Sequence, residues 1–331
     1  MLWYVLWLFF LAVGAYYLIT TRLEQWNIEN ITKKLVLVTG CDSGFGRGLI
    51  LKCNAAGIPT LAACLTPEGV ESLKKEATGP GEVVAFQMNV RDDASIAAAR
   101  PIVEETAKKH GGIHGIVNNA GIVGNAMLDD FLTVEDYIVV HDVNLLGVVR
   151  VTKAFLDLVK QAKGRIVNTA SICGRIALPA LAPYTCAKYA VEAFSDTLRL
   201  ELVAWGIKVS IIEPGFFATP LTNKERIDSM VTNIWKRAGP AKQAEYGNEF
   251  YENVKSGIID HLTKACSEDT GQVVEAYFHA LFSYHPRRRY AVGLDANFGY
   301  IPMSFLPAVV TDSLFWVIGK VRRTPAPAAS K

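Results

Sequence analysis

Lys34-Leu35-Val36-Leu37-Val38-Thr39-Gly40-Cys41-Asp42-Ser43-Gly44-Phe45-Gly46 is the stretch whose reading decides the fold. A largely apolar, β-prone run enters a glycine turn, and helix-like sequence follows to about Ala56. Strand, glycine turn, helix is the context a dinucleotide site requires. Glycines let the backbone turn tightly and approach a pyrophosphate, whose charge then lies at a helix amino terminus. A glycine triplet alone is a weak signal, and its place after the first strand strengthens it.

Downstream the alternation continues, with strands near Ile58 to Leu65, Glu82 to Val90 and Ile113 to Asn118, and helices near Pro67 to Ala77 and Asp92 to His110. That pattern predicts an α/β fold: a single doubly wound parallel sheet of Rossmann type, covered by helices on both faces. Asn118-Asn119-Ala120-Gly121 ends a strand where a cofactor should lie, its amides pinning the strand end, and Asn144 falls in the helix that follows.

Arg165 to Ser171 reads as another buried strand, and its carboxyl end is where a parallel sheet presents ligand-facing groups. Tyr184 and Lys188 stand four apart just after Pro183, so phenol and ammonium share one helix face. Tyr251 and Lys255 repeat that spacing without a serine upstream, Ala238 standing where Ser171 should be, and read as a surface pair. The next strand, Ile207 to Glu213, runs into Pro214-Gly215 and Phe216-Phe217-Ala218-Thr219.

The 331 residues are half hydrophobic with a net charge of +2, enough for a full core. No basic stripe interleaved with aromatics suggests nucleic acid, and the six Cys lack metal-ligand spacing, so neither metal nor disulfide framework is expected. Leu2 to Ile19 carries no charge, and about eighteen residues at ~1.5 Å each nearly cross a hydrocarbon core. Residues 1–20 are therefore expected to be an uncleaved membrane helix, with Trp3, Tyr4 and Trp7 at one end and Tyr16, Tyr17 and Trp26 near the other as interfacial aromatics. Arg22, Lys33 and Lys34 weakly favour a cytoplasmic body, the sequon at Asn30 matters only for the opposite orientation, and sidedness stays open. Residues 21–32 read as a linker, 33–295 as the single Rossmann-type domain, Phe305 to Ile318 as an interfacial or packing helix within 296–331, and the Pro-Ala-rich end as disordered.

Thr39-Gly40-x-x-x-Gly44-x-Gly46, Asn118-Asn119-Ala120-Gly121, Asn144, Ser171, Tyr184-x-x-x-Lys188 and Pro214-Gly215 together resemble the short-chain dehydrogenase/reductase family over roughly residues 33 to 295. Gly40 to Gly46, Ala63 to Pro67, Glu192 to Asp196 and Glu213 to Phe217 resemble its membrane-bound retinol and hydroxysteroid dehydrogenase branch, whose setting is the endoplasmic reticulum. The resemblance implies a catalytic set of Asn144, Ser171, Tyr184 and Lys188. It implies a nicotinamide cofactor held by Gly40, Asp42, Ser43, Gly44, Phe45, Gly46, Asn89, Val90, Asn118, Ala120, Gly121, Tyr184, Lys188, Pro214, Gly215 and Thr219. Asn89 departs from the Asp that receives the adenine amino group in the family. By the same resemblance residues 221–263 form a substrate lid, Thr219 reaches the carboxamide, Lys188 holds the nicotinamide ribose, and Asn144 keeps a water path to Lys188. A homodimer is left open.

In this reading Tyr184 carries the proton, its phenol pulled down by Lys188 and the nicotinamide, and Ser171 donates to the substrate oxygen. NAD is expected over NADP, because Cys64-Leu65-Thr66 offers no cation to a 2′-phosphate and Asp42 would repel one. The expected substrate is a lipophilic alcohol taken from a membrane, since the anchor, the segment Ile176 to Leu181 and Phe216-Phe217 are apolar. The alternatives are a dehydrogenase for a small hydroxyacid such as 3-hydroxybutyrate, and a dinucleotide-binding scaffold without catalysis.

Overall fold

The computed structural model of the chain describes residues 2–219, 223–263, 266–321 and 326–330. A helix α1 (Leu2–Glu24) precedes the alternation β1 (Val36–Thr39), α2 (Gly44–Ala55), β2 (Thr60–Cys64), α3 (Pro67–Glu76), β3 (Val83–Gln87), α4 (Asp93–His110) and β4 (Gly115–Asn118). After α5 (Val134–His141) and α6 (Gly147–Ala162) come β5 (Arg165–Thr169), α7 (Ala182–Glu201) and β6 (Lys208–Pro214). Then follow α8 (Lys224–Tyr246), α9 (Asn248–Thr263), α10 (Gly271–Phe282), β7 (Arg289–Val292), the short α11 (Ile301–Met303) and α12 (Ala308–Val321).

The seven strands form one sheet in the order β3-β2-β1-β4-β5-β6-β7, and every neighbouring pair is parallel. β1, β2, β4 and β5 are buried at every position, which is why they read as continuous apolar runs rather than alternating ones. On one face Leu49, Ile50 and Cys53 of α2 and Val273, Tyr277 and Leu281 of α10 pack on the sheet. On the other, Val103 of α4, Phe155 of α6 and Leu198 of α7 do so. β1 lies between β2 and β4, so the chain runs outward in opposite directions from this pair. The crevice beyond their carboxyl ends is the position where such sheets bind ligands.

Local signals set the helix ends. Thr66 caps α3 by accepting from the Gly69 N–H, with Pro67 in the first turn, and Asp92 caps α4 by accepting from Ala94. The segment expected to be a patternless lid is two helices, α8 and α9. Gly239, at φ 78° ahead of Pro240, breaks the phase of α8 and hides its periodicity; Leu221 and Thr222 lie outside the described residues.

The termini differ from expectation. Helix α1 runs on to Glu24, and the rest of the expected linker is tied down: Asn27 bridges Ser283, and the Ile28 N–H donates to the Phe282 carbonyl at 2.8 Å. Among the described residues no helix is long and apolar enough to cross a membrane. The side chains of Tyr16 and Tyr17 lie outside the described residues, whereas Trp3, Tyr4, Trp7 and Trp26 are exposed. At the other end, Ala328–Ser330 forms a 3-10 turn beside α8, where composition predicts no order.

Candidate active site

Gly40 and Gly44 both have φ in the left-handed region, 70° and 61°, which a side chain adopts at a cost. A Cβ on Gly40 would come within 2.8 Å of the Ala120 backbone, so this glycine lets the β1 turn lie against the β4 turn. Gly44 opens α2 with no neighbour within 4 Å of its would-be Cβ, and Ser43 provides no side-chain cap to the helix N–H groups. An uncapped helix start behind an open glycine turn suits a pyrophosphate. Gly46 works differently: its would-be Cβ falls 2.5 Å from Asn119 Nδ2, so it packs helix on strand and does not line the cavity.

A cavity of about 320 Å³ runs from this turn to the carboxyl ends of β5 and β6. It is lined by most of the expected residues: Gly40, Asp42, Ser43, Gly44, Phe45, Asn89, Val90, Ala120, Gly121, Ser171, Tyr184, Lys188, Pro214, Gly215 and Thr219. The open turn, the bare helix start and this continuous cleft fit a nicotinamide dinucleotide.

Besides Gly46, two expected residues are placed otherwise. Asn118 faces away from the cavity, its Nδ2 donating to Thr152 Oγ1 and Asn168 Oδ1 at 3.0 and 2.8 Å. Its neighbour Asn119 takes the cavity side, donating from Nδ2 to the Thr39 and Gly40 carbonyls and accepting from the Tyr277 hydroxyl at 3.1 Å. Asn144 is fully buried behind the lining and grips the Ile122 backbone with both amide atoms, each at 2.8 Å. It sits in a π turn, Asp142–Leu146, between α5 and α6, a helix irregularity the sequence reading did not include.

Asp42 is committed to protein. Its carboxylate accepts from the Leu65 N–H at 2.7 Å, the Thr66 N–H at 3.0 Å and the Thr66 hydroxyl at 2.8 Å, fixing the loop that follows β2. Arg47 of α2 approaches the same loop, donating to the Asp42 carbonyl, Ser72 and Glu76. A cation is thus near this corner after all, with Glu76 as its counter-ion. Asn89 lines the cavity, and its Oδ1 already accepts from the Arg91 N–H at 3.1 Å.

Past the carboxyl end of β5, Ser171 is in extended backbone, accepts from the Cys173 N–H at 3.2 Å and donates to the Pro214 carbonyl at 3.4 Å. Tyr184 is half-buried in the first turn of α7. Burial pushes its phenol up and the Cys173 thiol adds to this, while a hydrogen bond with Ser171 pulls the other way. This reverses the expected direction, because without a positive ring beside it the phenol meets chiefly desolvation. Lys188 is buried, its ammonium 5.5 Å from the Tyr184 ring centre and donating to the Thr169 carbonyl at 2.7 Å. Burial lowers its pKa to about 8. Behind them Thr169, whose carbonyl accepts from Lys188, pairs through Oγ1 with the Tyr277 hydroxyl at 2.8 Å, and Tyr277 donates to Asn119, contacts no motif announces.

The second Tyr-Lys pair does not line the cavity. Tyr251 is buried and stacked on Trp235 at 4.4 Å, not on the surface as read, and Lys255 pairs with Asp228 at 2.8 Å. Helix α8 is latched to the rest of the domain by Arg237, which donates to Asp136 Oδ2 at 2.6 Å and to the Phe131 carbonyl at 3.2 Å.

A short chain dehydrogenase family model matches residues 34–229, which spans the glycine turn, Ser171 and the Tyr184-Lys188 pair. This chain belongs to the short-chain dehydrogenase family. It is 40% identical over 325 residues to human retinol dehydrogenase 16, covering 98% of this chain and 99% of the relative. It is also 40% identical over 328 residues to human 17-beta-hydroxysteroid dehydrogenase type 6, with 98% and 99% covered. Among solved structures, a short-chain dehydrogenase from Streptomyces avermitilis superposes with a TM-score of 0.66 at 25% identity, covering 88% of this chain and 99% of that one. The chain is therefore an oxidoreductase of a nicotinamide-dependent fold.

Proposed function

We propose that this short-chain dehydrogenase moves hydride between a lipophilic alcohol of the retinol or hydroxysteroid class and a nicotinamide cofactor, NAD ahead of NADP. The observation that carries the substrate class is the cavity lining past Ser171 and Tyr184, where Val123, Leu181, Phe216 and Leu262 offer only apolar surface. Of the apolar segment before Tyr184 only Leu181 reaches the cavity; Ile176 and Leu178 pack behind it. Both cations on the cavity wall are assigned elsewhere: Lys188 donates to the Thr169 carbonyl and serves the phenol and the ribose, and Arg91 pairs with Asp142 at 2.9 Å. A small hydroxyacid would bury its carboxylate without a partner, which is costly. The names of the two human relatives agree with the lipophilic reading.

The bound nicotinamide supplies the hydride acceptor or donor. Tyr184 takes the hydroxyl proton during oxidation and returns it during reduction, and Ser171 donates to the substrate oxygen as charge develops there. Lys188 stabilises phenolate and reaches toward the ribose. Asn144 acts through Ile122 by holding the loop after β4 against Lys188; a Cβ on Gly121 would lie 3.3 Å from Asn144 Oδ1 and 3.8 Å from Lys188 Nζ. The NAD preference is supported by the Asp42 carboxylate at the ribose corner and by Glu76 neutralising Arg47. Helix α1 is proposed as the membrane anchor, in the endoplasmic reticulum, on the strength of its uncharged run from Leu2 to Ile19 and the exposed Trp3, Tyr4 and Trp7.

Detergent-solubilised protein assayed for reduced cofactor with NAD and with NADP, across retinol, 3α- and 17β-hydroxysteroids and 3-hydroxybutyrate, tests this reading. Expected is turnover of one or more lipophilic alcohols with NAD favoured; preference for 3-hydroxybutyrate overturns the substrate class, and tighter binding of NADP overturns the role of Asp42.

A further inference from the structure

The opposite end of the sheet carries a second cavity, of about 810 Å³, at the amino-terminal edges of β5 and β6 where α1 meets the domain. Its wall brings together Lys34, Lys163, Arg165 and Lys208, with Trp26 and Tyr284 beside them. Among the described residues lining it, Glu29 is the sole carboxylate. His114 also lines it, but burial holds its imidazole at about 4, so at neutral pH it adds no charge.

Part of this basicity has a structural use. Arg165 donates to the Ala280 and Ser283 carbonyls at 2.8 and 2.7 Å, and Lys208 to the Tyr284 carbonyl at 2.8 Å, so both close the carboxyl end of α10. That leaves a guanidinium with five N–H donors and an ammonium with three only partly used. Lys34 and Lys163 are not needed for this cap. Burial pushes Arg165 down to about 10 and lowers Lys208, which Arg165 lowers further, and no carboxylate offsets either shift. Four cations around one concavity with a single carboxylate attract a multiply charged anion.

The surroundings of the cavity point to the source of that anion. Trp26, two residues past the end of α1, is 63% exposed, and Tyr284 is 56% exposed. Both are the amphipathic aromatics that sit at headgroup level in a bilayer, and basic clusters next to a membrane helix attract anionic lipid.

We propose that this cavity binds the phosphate headgroup of an anionic phospholipid, with Lys34, Lys163, Arg165 and Lys208 as donors and Trp26 and Tyr284 against the glycerol end. The choice of a lipid over free phosphate rests on the reading of α1 as an anchor. Held this way, the sheet's amino-terminal end faces the membrane surface and the lipid fixes the angle between α1 and the domain.

The full chain in uncharged detergent, titrated calorimetrically with dihexanoyl phosphatidic acid, dihexanoyl phosphatidylcholine and inorganic phosphate, tests the proposal. Phosphatidic acid should bind at least about tenfold more tightly than either comparison ligand, and the double substitution Lys34→Gln/Lys163→Gln should weaken it by about tenfold or more with unchanged alcohol turnover. Lys208→Gln, at an exposed position, gives a second reading of the same loss. Inorganic phosphate binding as tightly as phosphatidic acid overturns the lipid assignment. Equal binding of phosphatidylcholine, no binding of phosphatidic acid, or binding indifferent to these substitutions overturns the site. The titration needs no bilayer, so it stands apart from whether removing α1 releases the chain from membranes.

Discussion

Tyr184 and Lys188 are displaced in opposite directions by the same cause, since burial favours the neutral form of each: the phenol is held up and the ammonium falls to about 8. A phenol that keeps its proton at neutral pH is ready to act as an acid, whereas it must be ionised to act as a base. In the proposed reaction, reduction should therefore be flat across neutral pH while oxidation rises with pH on the alkaline side, measured as separate rate profiles in the two directions. Tyr184→Phe should lower turnover in both directions by about a hundredfold or more, because it removes the proton carrier. Titration with NAD should show nearly normal binding by this variant, and near-normal turnover would remove Tyr184 from the mechanism.

At the scale of the element, strands buried on both faces announced themselves. Leu35 to Val38 and Ile166-Val167 are unbroken apolar runs because the sheet has no wet side there. What the sequence hid was parity and phase. Adjacent residues at a strand end point to opposite faces, so Asn118-Asn119 marked the right place without telling which residue lines the cavity, and it is Asn119 that does. The π turn around Asn144 adds a residue to a helix without disturbing its apolar pattern enough to be seen. Contacts between distant elements were equally silent. His114, the residue before β4, donates from Nε2 to the Leu281 carbonyl of α10 at 2.8 Å and stacks on Phe282, and burial holds it at about 4 against an ordinary 6.5. A lowered histidine is neutral in the fold and takes up its proton more readily when unfolded. The stability it supports is complete above about pH 6.5 and is lost as pH falls toward 4, by up to about 3 kcal/mol. Urea unfolding at pH 7 and pH 4.5 should show a smaller acid loss for His114→Gln than for the unsubstituted protein; equal losses would place the acid sensitivity elsewhere.

For the molecule as a whole, the question is whether α1 is a separate anchor or part of the fold, and the contacts at its end divide it. Glu24 pairs with Arg287 through two N–H donors at 2.8 and 2.6 Å, and its carbonyl accepts from His279 Nε2 and the Ser283 hydroxyl at 3.0 and 3.1 Å. The Trp26 carbonyl accepts from the Tyr284 N–H at 2.6 Å, and Ile28 donates to Phe282. From Glu24 onward the chain is thus stitched to the carboxyl end of α10 and to the residues that lead into β7. Removing residues 1–20 should therefore leave folding and NAD binding intact and abolish sedimentation with membranes after carbonate washing. Removing residues 1–28 should in addition lower the urea midpoint, because the Phe282 carbonyl and the His279, Ser283 and Tyr284 donors around the end of α10 lose their partners, and each such loss at a buried group costs about 1–3 kcal/mol. The two truncations separate the roles. A chain lacking residues 1–20 that still sediments with washed membranes would transfer the anchoring to another surface, and the exposed apolar side chains of α12, Val309 and Trp316 among them, would be the next place to cut.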